Sequence, residues 1–239
     1  MINVDIINEC TVLTDDQIKA IIPALQQQVT QDYYPAWGTD ATIQFVAKGT
    51  AVDPTHWQMA ILDDSDQAGA LGYHDITASG QPLAKVFAKS DVQYNMSWSV
   101  TISHELLEML TDPFIDYTVL TVDDRGDCVN YALEVCDACE DDQFAYKIGD
   151  VLVSDFVLPS WFESFRAPGS VPFDFKQHIS SPFALISGGY IGILKSNSGT
   201  GWTQVTAEKV PTSIRYRGAV GSRRERRRTP KYQWLYSTK

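Results

Sequence analysis

One short segment of the 239-residue chain combines residue types and a spacing that suit a metal site, His104-Glu105-Leu106-Leu107-Glu108. If the segment is helical, residues four positions apart lie on one face, with Cβ atoms about 6 Å apart, so His104 and Glu108 can share one ion. Glu105 is rotated by about 100° and lies beside that ion. A glutamate in this position can take a proton from water that a divalent ion has made more acidic. The spacing therefore predicts a metal site with Glu105 as its catalytic base.

Two acids further along the chain can complete this site. Glu134 follows Glu108 beyond a strand-and-turn segment and is the expected third metal ligand. Asp137 is expected to accept a hydrogen bond from the free ring N–H of His104, although the two acids can exchange these roles. We expect one divalent ion, with zinc as the first choice. Because a carboxylate is a harder ligand than imidazole, an oxygen-preferring ion such as Mn²⁺ is the alternative.

The helix that carries the motif is expected to be buried. Residues 97–111 read as a helix that Ser97 or Ser99 can cap and that Asp112-Pro113 ends, since a residue before proline avoids the helical region. Apolar residues cover most sides of this helix. A buried imidazole with two carboxylates is costly unless the groups are paired or bind a cation. The competing interpretation is a buried polar network, or a vestigial site, without an ion.

The residues from Ser103 to Pro113, together with the later Glu134-Val-Cys-Asp137, resemble zincin-like metallopeptidases of a variant H-E-x-x-E type. Nearly the whole chain also resembles a protein family of bacteriophage and bacterial genomes. That second resemblance is carried by GYHDITASGQPLAKVFAKS, YALEVCDACEDD, VLVSDFVLPSWFESFRAPGS and GSRRERRR. The resemblance implies a mixed sheet before the active-site helix, with an edge strand that lines a substrate cleft. Glu108 stands where the H-E-x-x-H metallopeptidases have a second histidine. This difference leaves two options, an altered metal or a lost activity.

The remaining pattern predicts an α+β fold. Residues 2–8 read as a strand, and Thr14 with Gln17 forms a capping box at the start of a helix. Further strands are expected at residues 41–47, 57–62, 72–76, 82–89, 117–122, 131–135, 144–148 and 151–158, and a strand or hairpin is expected at residues 184–194. We place one zincin-like domain at residues 1–195 and a mixed irregular and β C-terminal extension at residues 196–239.

Other candidate residues have weaker patterns. His74 lies on a predicted strand before the motif helix and is either structural, an extra ligand or a transition-state donor. Cys136 and Cys139 with Cys128 suit a three-cysteine metal site or a redox pair, but small buried thiols are the simpler interpretation. The chain has no glycine-rich phosphate loop and no G-x-S-x-G segment, which disfavours nucleotide chemistry and serine hydrolysis.

Charge is distributed unevenly along the chain. Residues 215–239 hold nine Lys/Arg and one Glu, a net charge of +8, whereas the preceding 214 residues hold 10 basic and 29 acidic residues, a net charge of −19. The aromatic and Arg-rich tail predicts docking on a protein partner or self-assembly. Nucleic acid is a less favoured partner because the acidic body repels a polyanion. No apolar run is long enough for a membrane span, and the few cysteines and absent signal sequence predict a cytoplasmic location or a virion assembled in the host cytoplasm.

Two functions are compatible with these patterns. The first is a metal-dependent hydrolase, in particular a peptidase or a degenerate relative of one, which acts on peptide substrates. The second is a structural or interaction component of a bacteriophage virion that keeps a zincin-like fold without activity.

Overall fold

The computed structural model describes residues 2–67, 70–123, 125–197, 199 and 201–207. The Arg-rich tail at residues 215–239 lies outside these residues, and so does the docking on a partner that is expected of this tail. A mixed sheet, two antiparallel sheets and four α-helices make up the described part, so the predicted α+β class is confirmed.

The N-terminal sheet is mixed and precedes the motif helix. Its strands are β1 (Ile2–Asn8), β2 (Ala41–Val46), β3 (Trp57–Leu62), β4 (Gly72–Ile76) and β5 (Pro82–Phe87). The order across the sheet is β2-β1-β3-β5-β4, and β1, β2, β3 and β5 run parallel. Strand β4 is antiparallel to β5 and forms one edge. The β4–β5 hairpin across residues 77–81 is thus the predicted one, with the Thr77 N–H donating to the Gln81 carbonyl over 2.7 Å.

The helices are α1 (Asp15–Gln27), α2 (Tyr34–Trp37), α3 (Ala88–Tyr94) and α4 (Trp98–Thr111). The capping box of α1 is present, with Gln17 N–H donating to Thr14 Oγ1 over 3.2 Å and Thr14 N–H donating to Gln17 Oε1 over 2.8 Å. Residues Gln28–Tyr33 continue α1 as a π-helix. Gly38 ends this helical stretch in the left-handed conformation, φ +75°, which glycine adopts without strain.

The C-terminal half is antiparallel. One sheet has the order β11-β10-β7-β6 and is formed by β6 (Thr118–Val122), β7 (Cys128–Ala132), β10 (Tyr190–Lys195) and β11 (Trp202–Thr206). A separate hairpin is formed by β8 (Tyr146–Ile148) and β9 (Val151–Val153). Short 3₁₀ turns lie at Asp137–Cys139 and Pro159–Phe162. Strand β11 pairs with β10 along its length, so the second sheet includes residues beyond position 195.

Helix α4 is buried in the middle of the fold, as its apolar sequence predicts. Every residue from Ser99 to Thr111 is buried, and the helix contacts β4, β5 and β9. Ser97 is its N-cap residue, but the Ser97 side chain makes no capping hydrogen bond; Asp112 ends the helix. Leu106 and Leu107 are fully buried, and each such leucine stabilises the fold by about 1.5–3 kcal/mol. That burial offsets the cost of the polar residues on the same helix.

One continuous core joins the two halves. Aromatic side chains fill the C-terminal part, where Tyr131 stacks edge-on against Trp161 and Phe156 lies parallel to Phe175. Tyr33 reaches this region from the π-helical turn and contacts Phe156. Within the described residues, no helix has the length and apolar character that crossing a bilayer requires.

Candidate metal centre

His104 and Glu108 lie on successive turns of α4 and face each other. The distance between His104 Nε2 and Glu108 Oε1 is 3.3 Å, and the two side chains are 4% and 0% exposed. This is the arrangement expected for residues four positions apart on one helical face. The backbone N–H of Cys136 donates to Glu108 Oε1 over 3.2 Å, so the carboxylate is held from the opposite side by the chain that follows β7.

Asp137 brings a second carboxylate to His104. It begins the 3₁₀ turn that follows β7, and its Oδ1 lies 3.3 Å from His104 Nε2. One ligand atom each from His104, Glu108 and Asp137 lie within 4.8 Å of one another, and all three residues are buried. This group of three can hold a metal ion.

His74 and Glu134 form a second group around the same Glu108. His74 projects from the edge strand β4, with its Nδ1 3.7 Å from Glu108 Oε2 and its Nε2 3.7 Å from Glu134 Oε2. The ligand atoms of these three residues also lie within 4.8 Å of one another. Glu108 therefore belongs to both groups, and its two oxygens face different imidazoles.

Glu105 lies beside the two groups, against the sheet edge. Its Oε2 is 3.8 Å from His74 Nδ1, and its side chain is 3% exposed. A Cβ atom added to Gly72 would stand 2.7 Å from Glu105 Cγ, so only glycine leaves room for this side chain at that point of β4. The lack of a side chain at the first residue of β4 thus leaves room for the Glu105 side chain.

Electrostatics in the cluster favour a bound cation or bound protons. Burial opposes charge on His104, but attraction to Glu108 and a hydrogen bond to Asp137 outweigh it and hold the pKa of His104 well above its usual value. Burial and the nearby charge of Asp137 raise the pKa of Glu108 well above its usual value. Without a metal, the pair therefore retains protons that a divalent ion would displace on binding.

Glu108 also has an unsatisfied oxygen. Within the described residues, its buried Oε2 accepts no hydrogen bond. A buried carboxylate oxygen without a hydrogen bond costs about 1–3 kcal/mol or more, so such atoms usually have a ligand or water as partner. Because oxygen of this kind is a ligand for Zn²⁺ and Mn²⁺, the donor set fits a divalent cation.

Among the described residues, the cysteines at positions 128, 136 and 139 form no common group of potential metal ligands. Cys136 and Cys139 are buried next to the cluster, and burial raises the pKa of both thiols well above the usual value. Cys128 is exposed at the start of β7. The structure therefore agrees with small buried thiols at positions 136 and 139, rather than a three-cysteine site.

A pocket gives access to the cluster. It is partly open to solvent, and its lining includes His104 and Glu105 of α4. Leu71 and Met96 contribute apolar surface, and residues 140–142 contribute acidic surface. A ligand in this pocket can reach the side of the cluster that carries Glu105.

A third polar group lies elsewhere in the fold. Asp155, Asp174 and His178 lie close together, with His178 Nδ1 3.1 Å from Asp155 Oδ2 and 3.6 Å from Asp174 Oδ2. Burial, together with a hydrogen bond from Asp174, raises the pKa of Asp155 to about 9. Asp174 accepts the N–H groups of His178 and Ile179 and fixes the loop that follows it. No motif or spacing in the sequence indicated this group.

The structure brings the sequence-predicted site residues together in one cluster. His104, Glu105, Glu108, Glu134 and Asp137 all lie within it, and of the two acids left open as third ligand, Asp137 is the one grouped with His104. His74 also belongs to the cluster, although its sequence context did not distinguish a ligand from a structural histidine. The only sequence signal for it was the glycine-flanked strand before the motif helix.

Comparisons with protein families, with curated proteins and with solved structures found no match to this chain.

Proposed function

We propose that the protein is a metal-dependent hydrolase that cleaves peptide bonds. One observation carries this proposal: a buried imidazole and two buried carboxylates, His104, Glu108 and Asp137, lie within 4.8 Å of one another next to a solvent-open pocket. When bound there, a divalent ion supplies Lewis acidity, which polarises a carbonyl group and acidifies water. Zinc is the first choice and Mn²⁺ the alternative, because two of the three ligands are carboxylates.

Glu105 has the position required of a general base. It follows His104 on α4, lines the same pocket, and is held against Gly72 at the sheet edge. In this role it accepts a proton from the attacking water and passes it to the leaving amine. The Cys136 N–H holds Glu108 in place during these steps through the hydrogen bond to Oε1.

The layout of the sheet supports a peptide substrate. Strand β4 is the antiparallel edge strand, and Leu71, immediately before it, lines the pocket. An extended peptide can add to such an edge through backbone hydrogen bonds. This would place a peptide bond beside Glu105, and it is the arrangement that the zincin resemblance implies.

Metal analysis combined with peptidase assays tests this proposal. Purified protein loaded with Zn²⁺ or Mn²⁺ is expected to retain metal and to cleave peptides from a random library. Glu105→Gln is expected to keep the metal and to lose turnover, and His104→Ala is expected to lose the metal. His56→Ala is the matched control, because His56 pairs with Asp5 far along the sheet. Full turnover in Glu105→Gln, or a wild-type chain that binds no metal, would overturn the proposal.

The alternative function, a virion component without activity, depends on residues 215–239. These residues lie outside the described part of the chain, and no contact in the described part favours that function over hydrolysis. Its test is to truncate the chain after residue 214 and to measure assembly. Assembly that is unchanged by the truncation would count against this function.

A further inference from the structure

We infer that the cluster is a dinuclear centre, in which a second divalent cation is bound by His74, Glu108 and Glu134, and Glu108 bridges the two ions. The inference deepens the proposed function and rests on the same cluster. It assigns to His74 and Glu134 a ligand role rather than a supporting one.

The geometry of Glu108 is the first argument. Its Oε1 lies 3.3 Å from His104 Nε2, and its Oε2 lies 3.7 Å from His74 Nδ1. A carboxylate whose two oxygens face two imidazoles presents one oxygen to each of two adjacent ions. In two-metal sites the ions are about 3.5–4 Å apart, a separation that such a carboxylate can bridge.

The buried Oε2 of Glu108 is the second argument. This atom accepts no hydrogen bond within the described residues and belongs to a fully buried residue. A single ion on His104, Glu108 and Asp137 leaves Oε2 free to bind elsewhere, because Oε1 is the oxygen on that side. A cation between Oε2, His74 and Glu134 satisfies it.

The balance of charge is the third argument. The cluster contains four buried carboxylates, from Glu105, Glu108, Glu134 and Asp137, but only two imidazoles. With both histidines neutral as ligands, the formal charge is −4, and one divalent ion leaves −2. Two divalent ions bring it to zero. Since isolated buried charge is strongly unfavourable, the composition of the cluster favours two cations.

The two groups also have matching chemistry. Each contributes one imidazole and one carboxylate of its own and shares Glu108. Both halves therefore favour the same class of ion, a first-row divalent cation that accepts nitrogen and carboxylate oxygen, such as Mn²⁺ or Zn²⁺. In the second group, His74 lies on β4, Glu108 lies on α4 and Glu134 follows β7. A bound ion would therefore connect the sheet edge to α4.

Stoichiometry with Mn²⁺ tests the inference without an activity assay. The full chain is freed of metal, titrated with Mn²⁺ by calorimetry, and analysed by electron paramagnetic resonance. Two equivalents per chain with an exchange-coupled spectrum are expected. His74→Ala and the nearly isosteric Glu134→Gln are each expected to bind one equivalent with the six-line spectrum of an isolated Mn²⁺, while His56→Ala keeps two.

The outcomes separate this inference from the proposed function. One equivalent in the wild-type chain, or two equivalents retained in both His74→Ala and Glu134→Gln, would overturn the dinuclear centre and leave the single-metal hydrolase standing. A wild-type chain that binds no Mn²⁺ and no Zn²⁺ would overturn both. Circular dichroism of each variant verifies folding, and Glu134→Gln decides the result if His74→Ala does not fold.

Discussion

Replacing Gly72 with alanine places a methyl group where Glu105 already lies. The new Cβ would stand 2.7 Å from Glu105 Cγ, 2.8 Å from Glu105 Oε1 and 3.0 Å from the Lys85 carbonyl oxygen. Ordinary contact begins at 3.4 Å. The Glu105 side chain must therefore retreat by about 0.7 Å, because the strand backbone on the other side is held by its ladder with β5.

The expected energetic effect follows from these contacts. Overpacking of a filled interior costs about 1–3 kcal/mol, and we expect Gly72→Ala to lower the free energy of unfolding by that amount. Two of the three close contacts involve Glu105 atoms that Glu105→Ala removes. In the Glu105→Ala background the same substitution should cost less than about 1 kcal/mol, which gives a coupling energy of about 1 kcal/mol or more.

A double-mutant cycle by urea unfolding measures this coupling. The wild type, both single variants and the double variant are compared in chelator, so that metal binding does not enter. Gly192→Ala is the matched control, since its Cβ would meet Ala132 Cβ at 3.3 Å on the second sheet and should show no coupling to Glu105. An equal cost of Gly72→Ala in both backgrounds would show that the methyl group does not meet Glu105. In the metal-loaded protein, the displaced carboxylate should also lower kcat by about 10²-fold.

Four further results are expected. Chelation should lower the melting temperature, because metal at 1,000 times its Kd stabilises the folded chain by about 4.1 kcal/mol. The apparent metal affinity measured by calorimetry should rise with pH, since the pKa values of His104 and Glu108 are raised and protons compete with the ion. Asp155 has a folded pKa of about 9 against 3.8 unfolded, so the stability it contributes is present below pH 4 and is lost as the pH rises to about 9. Asp155 should contribute a slope of at most about 1.4 kcal/mol per pH unit to the free energy of unfolding, measured with urea at several pH values. This contribution should be absent in Asp155→Asn, and an unchanged slope in that variant would contradict the assigned pKa. Thr14→Ala should cost about 1 kcal/mol in the same assay, and no loss would mean that the capping box is not stabilising.

The predictable parts of the fold are those that depend on local chemistry. The capping box at Thr14, the end of α4 at Asp112 and the hairpin between β4 and β5 are each determined by a few adjacent residues, and the structure confirms them. The four-residue spacing of His104 and Glu108 likewise determines their proximity once the helix forms. These predictions required no knowledge of tertiary contacts.

The less predictable parts depend on contacts between distant segments. The strand expected at residues 131–135 ends at Ala132, because the chain then leaves the sheet to bring Glu134 and Asp137 to α4. Similarly, the sequence around a lone histidine on a strand does not reveal which helix the side chain will contact. His74 joins the cluster only because β4 is the edge strand next to α4.

The composition of the cluster argues for a functional rather than a stabilising role. Replacing buried ionic groups by apolar residues of similar size is often neutral or stabilising, by about 1–4 kcal/mol. A helix as apolar as α4 could therefore carry leucine or methionine at positions 104, 105 and 108 without loss of stability. The chain instead has one imidazole and two carboxylates at these positions and packs a second imidazole and two more carboxylates against them. It also leaves one oxygen of Glu108 without a hydrogen bond among the described residues and keeps a pocket open to Glu105. The buried charged groups cost folding free energy without a bound ion, and a divalent cation would offset that cost.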